Sequence, residues 1–130
     1  MGDGTAIGRV RGLGASGEGA DHWLHQRITA GSNLVLTLWL MISLALLPGY
    51  DYETLATWLS SSWAAVPMIL LIASTFYHFR LGLQVVIEDY QHNETRVVLL
   101  VLLNFFTLAV GTLAIFSILR IAFAATGAAA

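Results

Sequence analysis

The sequence contains no cysteine and no lysine, and only 11% of its 130 residues are charged. Without cysteine the chain cannot form disulfides, thiolate metal sites or a cysteine nucleophile. The six basic residues are all arginine and the net charge is −2, which excludes a polybasic surface for nucleic acid. A soluble domain of this size needs more surface charge, yet 57% of the residues are hydrophobic. The composition therefore indicates that much of the surface faces lipid.

Three long apolar runs hold most of this hydrophobic content, at about residues 28–47, 64–87 and 97–123. A helix of about 20 residues crosses the hydrocarbon core of a bilayer. Three such runs favour a membrane protein over a soluble protein with buried helices. The sequence therefore predicts an all-α membrane protein with three transmembrane helices. Residues 22–130 form the predicted membrane anchor domain, and the glycine-rich residues 1–21 form a predicted N-terminal cytoplasmic tail.

The distribution of arginine predicts the orientation. Three arginines lie on the N-terminal side of the first run, the connection after it has none, and Arg96 lies in the second connection. Basic residues favour the cytoplasmic side of a membrane. The N-terminus and the second connection are therefore predicted to be cytoplasmic, and the first connection and the C-terminus periplasmic. Arg120, near the end of the third run, argues mildly for the opposite orientation.

His78 lies past the middle of the second run, and a polar ring at that depth needs partners. Two interpretations are open: a hydrogen bond to a neighbouring helix, or axial ligation of a haem iron. Gly82, one turn on, offers a notch for a flat macrocycle or for close packing of another helix. His22, His25 and His92 lie at other depths. If haem binds, its second axial ligand must therefore come from another polypeptide or a second copy.

Further polar residues lie where the runs meet the cytoplasmic side. Asp89 and Tyr90, about 17 to 18 Å beyond His78 along the helix axis, suit either hydrogen bonding to a quinone carbonyl or interfacial anchoring. Arg27, at the start of the first run, suits either haem propionates or lipid phosphates. Arg80 lies about 160° around the helix from His78, so it does not share that face. Whether Arg80 extends to the interface or pairs on another helix stays open.

Residues 78–90, with the sequence HFRLGLQVVIEDY, resemble the signature of the succinate dehydrogenase hydrophobic membrane anchor family, the D-type subunit. That signature has a histidine, a glycine four residues later, a Gln-Val pair and a final Asp-Tyr. Gly8-Arg9 and residues 22–30 resemble the lead into the first helix of that family. The resemblance covers most of the chain.

The resemblance implies a bacterial inner-membrane anchor subunit of succinate:quinone oxidoreductase (complex II). Its partners would be a cytochrome b556-type anchor subunit, an iron–sulfur subunit and a flavoprotein subunit. It implies that His78 is one axial ligand of a haem b shared with the sister anchor, with Gly82 packing on the haem and Arg27 near the propionates. It also implies that Tyr90, with Asp89 beside it, contacts ubiquinone. The chain itself has no flavin or iron–sulfur motif.

Two alternatives to this function remain at the level of sequence. A fumarate reductase anchor belongs to the same class, because the direction of electron flow depends on the quinone and the partner subunits. A small membrane assembly or transport protein belongs to a different class. In that case His78 would be a hydrogen-bonding or proton-relay residue.

Overall fold

The computed structural model describes Ala6 and residues 19–127, with side chains described as far as Ala124. The described chain from residue 19 onward is helical except for short connections, and its helices are α1 Gly19–Ala45, α2 Tyr52–Ser60, α3 Ser62–Tyr90 and α4 Asn93–Gly127. Three of them, α1, α3 and α4, are long and apolar enough to cross a membrane. The prediction of an all-α protein with three membrane-spanning helices is confirmed, and the chain is a multi-pass membrane protein.

The helices extend beyond the apolar runs at most of their ends. Helix α1 begins at Gly19, so the last three residues of the predicted tail are helical, and the rest of the prediction for residues 1–21 lies outside the described residues except for Ala6. Asp21 lies in the first turn of α1, where a carboxylate interacts favourably with the helix dipole. A hydrophobic run marks only the part of a helix that contacts lipid, which explains why the polar turns were not predicted as helix.

The polar connection predicted between the second and third spans is much shorter in the structure. Helix α3 continues to Tyr90 and α4 begins at Asn93, so only Gln91 and His92 lie between them. Asn93 adopts a positive φ of 60°, a conformation that asparagine tolerates better than most residues. This tight turn makes α3 and α4 antiparallel neighbours.

The connection after α1 contains a short helix, α2, which the sequence did not predict. Asp51 caps it: one carboxylate oxygen accepts from the backbone N–H of Thr54 at 3.1 Å, and the other accepts from the Thr54 hydroxyl at 2.8 Å. These hydrogen bonds stabilise the carboxylate and lower the pKa of Asp51. Trp58 of α2 stacks on Trp39 of α1 with ring centroids 6.0 Å apart, which holds α2 against the end of the first span.

Helix α3 occupies the centre of the molecule. It packs against α1 and against α4, while α2 lies on α3 and α4. Within residues 19–127, α1 and α4 do not contact each other, so the three spans form a row rather than a closed bundle. Few hydrophobic side chains are buried among the described residues: Ala64, Ala65, Leu81, Leu103 and Ile118. Most of the large hydrophobic side chains are therefore exposed on the outside of the helices.

Candidate functional site

The centre of the candidate site is a contact between His78 of α3 and Thr29 of α1. The Nδ1 atom of His78 lies 2.9 Å from the hydroxyl oxygen of Thr29, within hydrogen-bonding distance. His78 is half-buried and lies near the middle of the 29-residue helix α3. Thr29 is buried, with 9% of its surface exposed. The hydroxyl of Ser74, one turn before His78, donates to the backbone carbonyl of Thr29 at 3.5 Å. Polar contacts therefore fix α1 against α3 at the depth of His78.

The other ring nitrogen of His78, Nε2, has no hydrogen-bond partner within residues 19–127. In that part of the chain, the side-chain polar atoms that are enclosed and lack a partner are His22 Nε2 and Gln26 Oε1. His78 Nε2 is not among them, so this unpartnered atom is not enclosed. Nε2 therefore reaches the surface of the chain at the depth of the bilayer interior. An imidazole nitrogen there needs a partner from outside the chain, because lipid offers none.

Gly82 faces α1 at the next turn of α3. A Cβ placed on Gly82 would lie 3.6 Å from the side-chain nitrogen of Gln26, which is ordinary van der Waals contact. The Gln26 side chain of α1 therefore lies against Gly82, but an added Cβ would fit there, so this contact does not require glycine. The role of Gly82 in packing on haem stays a prediction. Among the described residues, two enclosed side-chain atoms lack a partner, Gln26 Oε1 and His22 Nε2, which lie one turn apart on α1.

Arg27 does not contact His78. Its guanidinium lies 5.2 Å from the centre of the Trp23 ring, a cation–π distance. Arg27 is two residues before Thr29, hence about 160° around α1 from the residue that faces His78. The structure places Arg27 at a similar height along α1 but on a different face, and its approach to haem propionates stays a prediction.

An aromatic contact also joins α1 to α3 beside the candidate site. The Tyr77 hydroxyl lies 3.4 Å from Nδ1 of His25, and the two rings meet edge to face with centroids 6.0 Å apart. This contact was not predicted from the sequence, because His25 precedes the first apolar run and Tyr77 was given no role. It adds a polar tie between the same two helices.

Arg80 pairs with α4. Its Nε–H donates to the side-chain carbonyl of Asn104. The amide nitrogen of Asn104 donates to the backbone carbonyl of Leu100 at 2.7 Å, which orients the amide oxygen as an acceptor. Of the two possibilities left open for Arg80, extension to the interface or pairing on another helix, the structure shows pairing on α4 of the same chain. Since the partner of Arg80 lies on α4 and that of His78 lies on α1, the two residues serve opposite sides of α3.

Asp89 and Tyr90 are the last two residues of α3, at the end that the sequence predicts to be cytoplasmic. Both are exposed, with 79% of the Tyr90 side chain accessible. Next to them, Glu88 accepts from the amide of Gln84 at 3.1 Å and forms an ion pair with Arg96 of α4 at 3.5 Å. Glu88 is thus engaged within the chain, whereas the side chains of Asp89 and Tyr90 have no hydrogen bond or ion pair within residues 19–127. They are free to contact a partner molecule.

Three residues that lie against a predicted site residue were not themselves predicted from the sequence: Thr29, Gln26 and Asn104. Thr29 and Asn104 lie inside apolar runs, where one small polar residue gives no signal of its partner. Within the described residues, no three His, Asp or Glu side chains are grouped so that they could hold a bare metal ion. A haem iron requires only one such ligand on each side.

Comparisons with known proteins agree on one family. The sequence model of the family described as "Succinate dehydrogenase/Fumarate reductase transmembrane subunit" matches residues 1–126. The succinate dehydrogenase hydrophobic membrane anchor subunit of Rickettsia bellii is 31% identical over 103 residues, which cover 78% of this chain and 82% of that protein. The subunit of the same name from Paracoccus denitrificans is 28% identical over 111 residues, covering 85% of this chain and 86% of that protein.

A third relative with the same name, from Rickettsia conorii, is 28% identical over 102 residues, covering 77% of this chain and 81% of that protein. No solved structure matches the chain significantly. The match spans nearly the whole chain, including the three membrane-spanning helices and the segment from His78 to Tyr90. The chain therefore belongs to the succinate dehydrogenase/fumarate reductase transmembrane subunit family, in which its relatives are hydrophobic membrane anchor subunits of succinate dehydrogenase.

Proposed function

We propose that this chain is a membrane anchor subunit of succinate:quinone oxidoreductase that binds haem b jointly with a sister anchor subunit and forms part of the ubiquinone-reduction site. The observation that carries the proposal is His78, whose Nδ1 is held by Thr29 and whose Nε2 has no partner within residues 19–127. A histidine that ligates a metal through one nitrogen characteristically has the other nitrogen hydrogen-bonded. The residues of this chain thus fit a haem axial ligand.

A second axial ligand has to come from outside the described chain. Within residues 19–127, His78 is in contact with no other histidine side chain through a hydrogen bond or ring contact. His22 and His25 lie one to two turns before Thr29 on α1, and His92 lies beyond the end of α3. A cytochrome b556-type sister anchor would supply the second imidazole. When bound, the haem iron supplies a one-electron carrier between the ferric and ferrous states.

The exposed end of α3 would contribute to quinone binding. Tyr90 lies about 18 Å from His78 along the helix axis, and its hydroxyl has no partner within the described residues. A phenol can donate a hydrogen bond to a quinone carbonyl, and reduction of the quinone to quinol adds negative charge to that oxygen before it is protonated. Asp89, also exposed, would take protons from the aqueous side and pass them to the reduced quinone oxygens, as formation of the quinol requires. Electrons would arrive from an iron–sulfur subunit docked on this side, which in turn joins a flavoprotein subunit.

The proposed orientation of the anchor is the one that the arginine distribution predicts. The N-terminal end of α1 and the end of α3 that carries Tyr90 would face the cytoplasm across the bacterial inner membrane, where the soluble subunits would dock. Arg27 is exposed and has only Trp23 as a described neighbour for its charge. Its guanidinium would be available to haem propionates, with which arginine forms strong paired hydrogen bonds.

The haem proposal is tested on the purified complex. His78→Ala should remove the b-type band from reduced-minus-oxidised spectra while the subunits still copurify. His92→Ala is the matched control, because His92 lies in the exposed connection after α3 and should leave the band intact. A wild-type haem spectrum in an intact His78→Ala complex would contradict the ligand role.

The quinone proposal is tested by comparing two activities in the same complex. Tyr90→Phe should lower succinate:quinone reductase activity by about tenfold, the value of one lost hydrogen bond of about 1.4 kcal/mol in the transition state. Oxidation of succinate by an artificial acceptor should not change. Tyr52→Phe is a matched control, because Tyr52 is 77% exposed, close to the 79% of Tyr90, but precedes α3 at the opposite end. If Tyr90→Phe retains full quinone reductase activity, Tyr90 is only an interfacial anchor.

A fumarate reductase anchor is the second candidate, because the family includes the transmembrane subunits of both enzymes. The relatives compared above are named as succinate dehydrogenase subunits, which favours succinate oxidation. The ratio of succinate oxidation to fumarate reduction in the purified complex, measured with quinones of high and low potential, separates the two.

A further inference from the structure

We propose that Thr29 is a positioning residue for His78: its hydroxyl fixes the ring tautomer so that the lone pair of Nε2 points out of the chain. The inference rests on the proposed role of His78 as a haem ligand. Thr29 lies on α1, whereas His78 lies on α3. The only chemical contribution of Thr29 would be to accept a hydrogen bond from the His78 ring.

The threonine hydroxyl has a single proton to donate. Thr29 Oγ1 lies 2.8 Å from the backbone carbonyl of His25 and 3.2 Å from that of Gln26, and both of these groups can only accept. Such shared bonding of a threonine to the carbonyls three and four residues earlier is a local feature of helices. The hydroxyl proton is therefore directed to the backbone of α1.

At its third contact the same oxygen must therefore accept a hydrogen bond. His78 Nδ1 lies 2.9 Å from Thr29 Oγ1, and with the hydroxyl proton directed elsewhere the oxygen presents a lone pair to the ring. A neutral imidazole carries a proton on only one nitrogen. The ring of His78 accordingly carries it on Nδ1, and Nε2 holds a free lone pair. The reverse tautomer would leave two acceptors facing each other across 2.9 Å.

Burial strengthens the preference of His78 for the tautomer with its proton on Nδ1. Thr29 is only 9% exposed, and water is excluded from the bilayer interior, so no solvent competes for either atom. Thr29 is also held in place from α3, since Ser74 donates to its backbone carbonyl at 3.5 Å. The hydroxyl is thus fixed relative to the ring before any ligand binds.

The hydrogen bond should also act on the bound iron. A ligating imidazole that donates its second N–H is a stronger base, which stabilises the ferric state. Loss of the bond should therefore raise the reduction potential of the haem. Loss of such an outer contact also typically lowers metal affinity by about 10- to 100-fold.

The test compares Thr29→Val and Thr29→Ser in the whole purified complex. Valine has the same shape and lacks the hydroxyl, so it should raise the haem reduction potential, alter the low-spin ferric EPR signal and lower haem retention by about 10- to 100-fold. Serine keeps the hydroxyl and should restore wild-type values. If the valine complex does not assemble, Thr29→Ala against Thr29→Ser gives the same comparison.

Thr107 provides a matched control. It is 8% exposed, lies on α4, and its hydroxyl bonds to the carbonyls of Leu103 at 2.8 Å and Asn104 at 3.1 Å, as Thr29 does on α1. It has no histidine beside it. Thr107→Val should therefore leave the haem potential and the EPR signal unchanged. An equal change in Thr107→Val and Thr29→Val would mean that the effect comes from general loss of packing, and would overturn the inference.

The outcomes separate this inference from the proposed function. If His78→Ala loses the haem while Thr29→Val keeps the wild-type potential, EPR signal and haem retention, His78 is the ligand and Thr29 does not position it. If an intact His78→Ala complex keeps its haem spectrum, the ligand role fails, and this inference fails with it.

Discussion

The contact between Arg80 and Asn104 leads to a prediction about the packing of α3 on α4. Arg80 donates to the amide oxygen of Asn104 inside the membrane-spanning part of both helices. Arg80 lies ten residues, or about 15 Å, from the end of α3. Removing the acceptor by Asn104→Leu leaves a charged group in lipid without its partner. Removing both groups leaves an apolar contact that lipid tolerates.

The expected magnitude follows from the environment of the pair. Hydrogen bonds between helices inside membranes contribute about 0.6 kcal/mol on average and up to about 1.7 kcal/mol. The guanidinium makes this bond charge-assisted, which places it at the upper end of that range. We therefore expect a coupling free energy of about 1–2 kcal/mol between the two side chains, a factor of about 5–30 in the unfolding equilibrium. The order of stability should be wild type, then the double leucine variant, then Asn104→Leu.

The assay is a double-mutant cycle on the purified complex in mixed micelles with increasing SDS. The chain has no cysteine of its own, so a dye pair on cysteines engineered in α3 and α4 reports the separation of these two helices, with the complex labelled without those cysteines as the background. Arg80→Leu and Asn104→Leu are measured singly and together. If the double variant is no more stable than Asn104→Leu, or if the two effects add, the pair does not stabilise the packing and the reasoning is refuted.

Two further predictions concern packing and orientation. A Cβ on Gly111 would lie 3.5 Å from Phe76, which is ordinary contact, so Gly111→Ala should assemble normally. Gly111→Leu should force α3 and α4 apart and lower the yield of assembled complex. Gly31→Leu is the control, because a Cβ at Gly31 meets nothing within 4 Å. A topology reporter fused after Ala130 should report a periplasmic C-terminus, and a cytoplasmic signal would contradict the proposed orientation.

The number and approximate position of the spans could be predicted from sequence because lipid imposes a simple requirement. Each crossing needs about 20 apolar residues, and the three runs meet it without ambiguity. The same requirement made His78 conspicuous, since a polar ring inside such a run is costly. The polar ends of α1 and α3 and the short helix α2 were not predicted, because they lie outside the hydrocarbon, where hydropathy gives no signal.

The partners of the polar residues could not be predicted, because they depend on how one helix is placed against another. Thr29 and His78 are 49 residues apart in sequence, and Arg80 and Asn104 are 24 apart. Helical periodicity gives the face of each residue on its own helix but not the height of the neighbouring helix. Arg80 illustrates the difference: its face was correctly placed away from His78, yet its partner became clear only once α4 lay beside it.

The two-residue connection at Gln91 and His92 has a consequence for how the protein enters the membrane. A link this short leaves neither α3 nor α4 able to move far into the bilayer ahead of the other, so we expect the two helices to enter as one hairpin. Arg80 then meets Asn104 during insertion rather than after it. A charge that would hinder the insertion of a single helix is thereby delivered into lipid already paired with its acceptor.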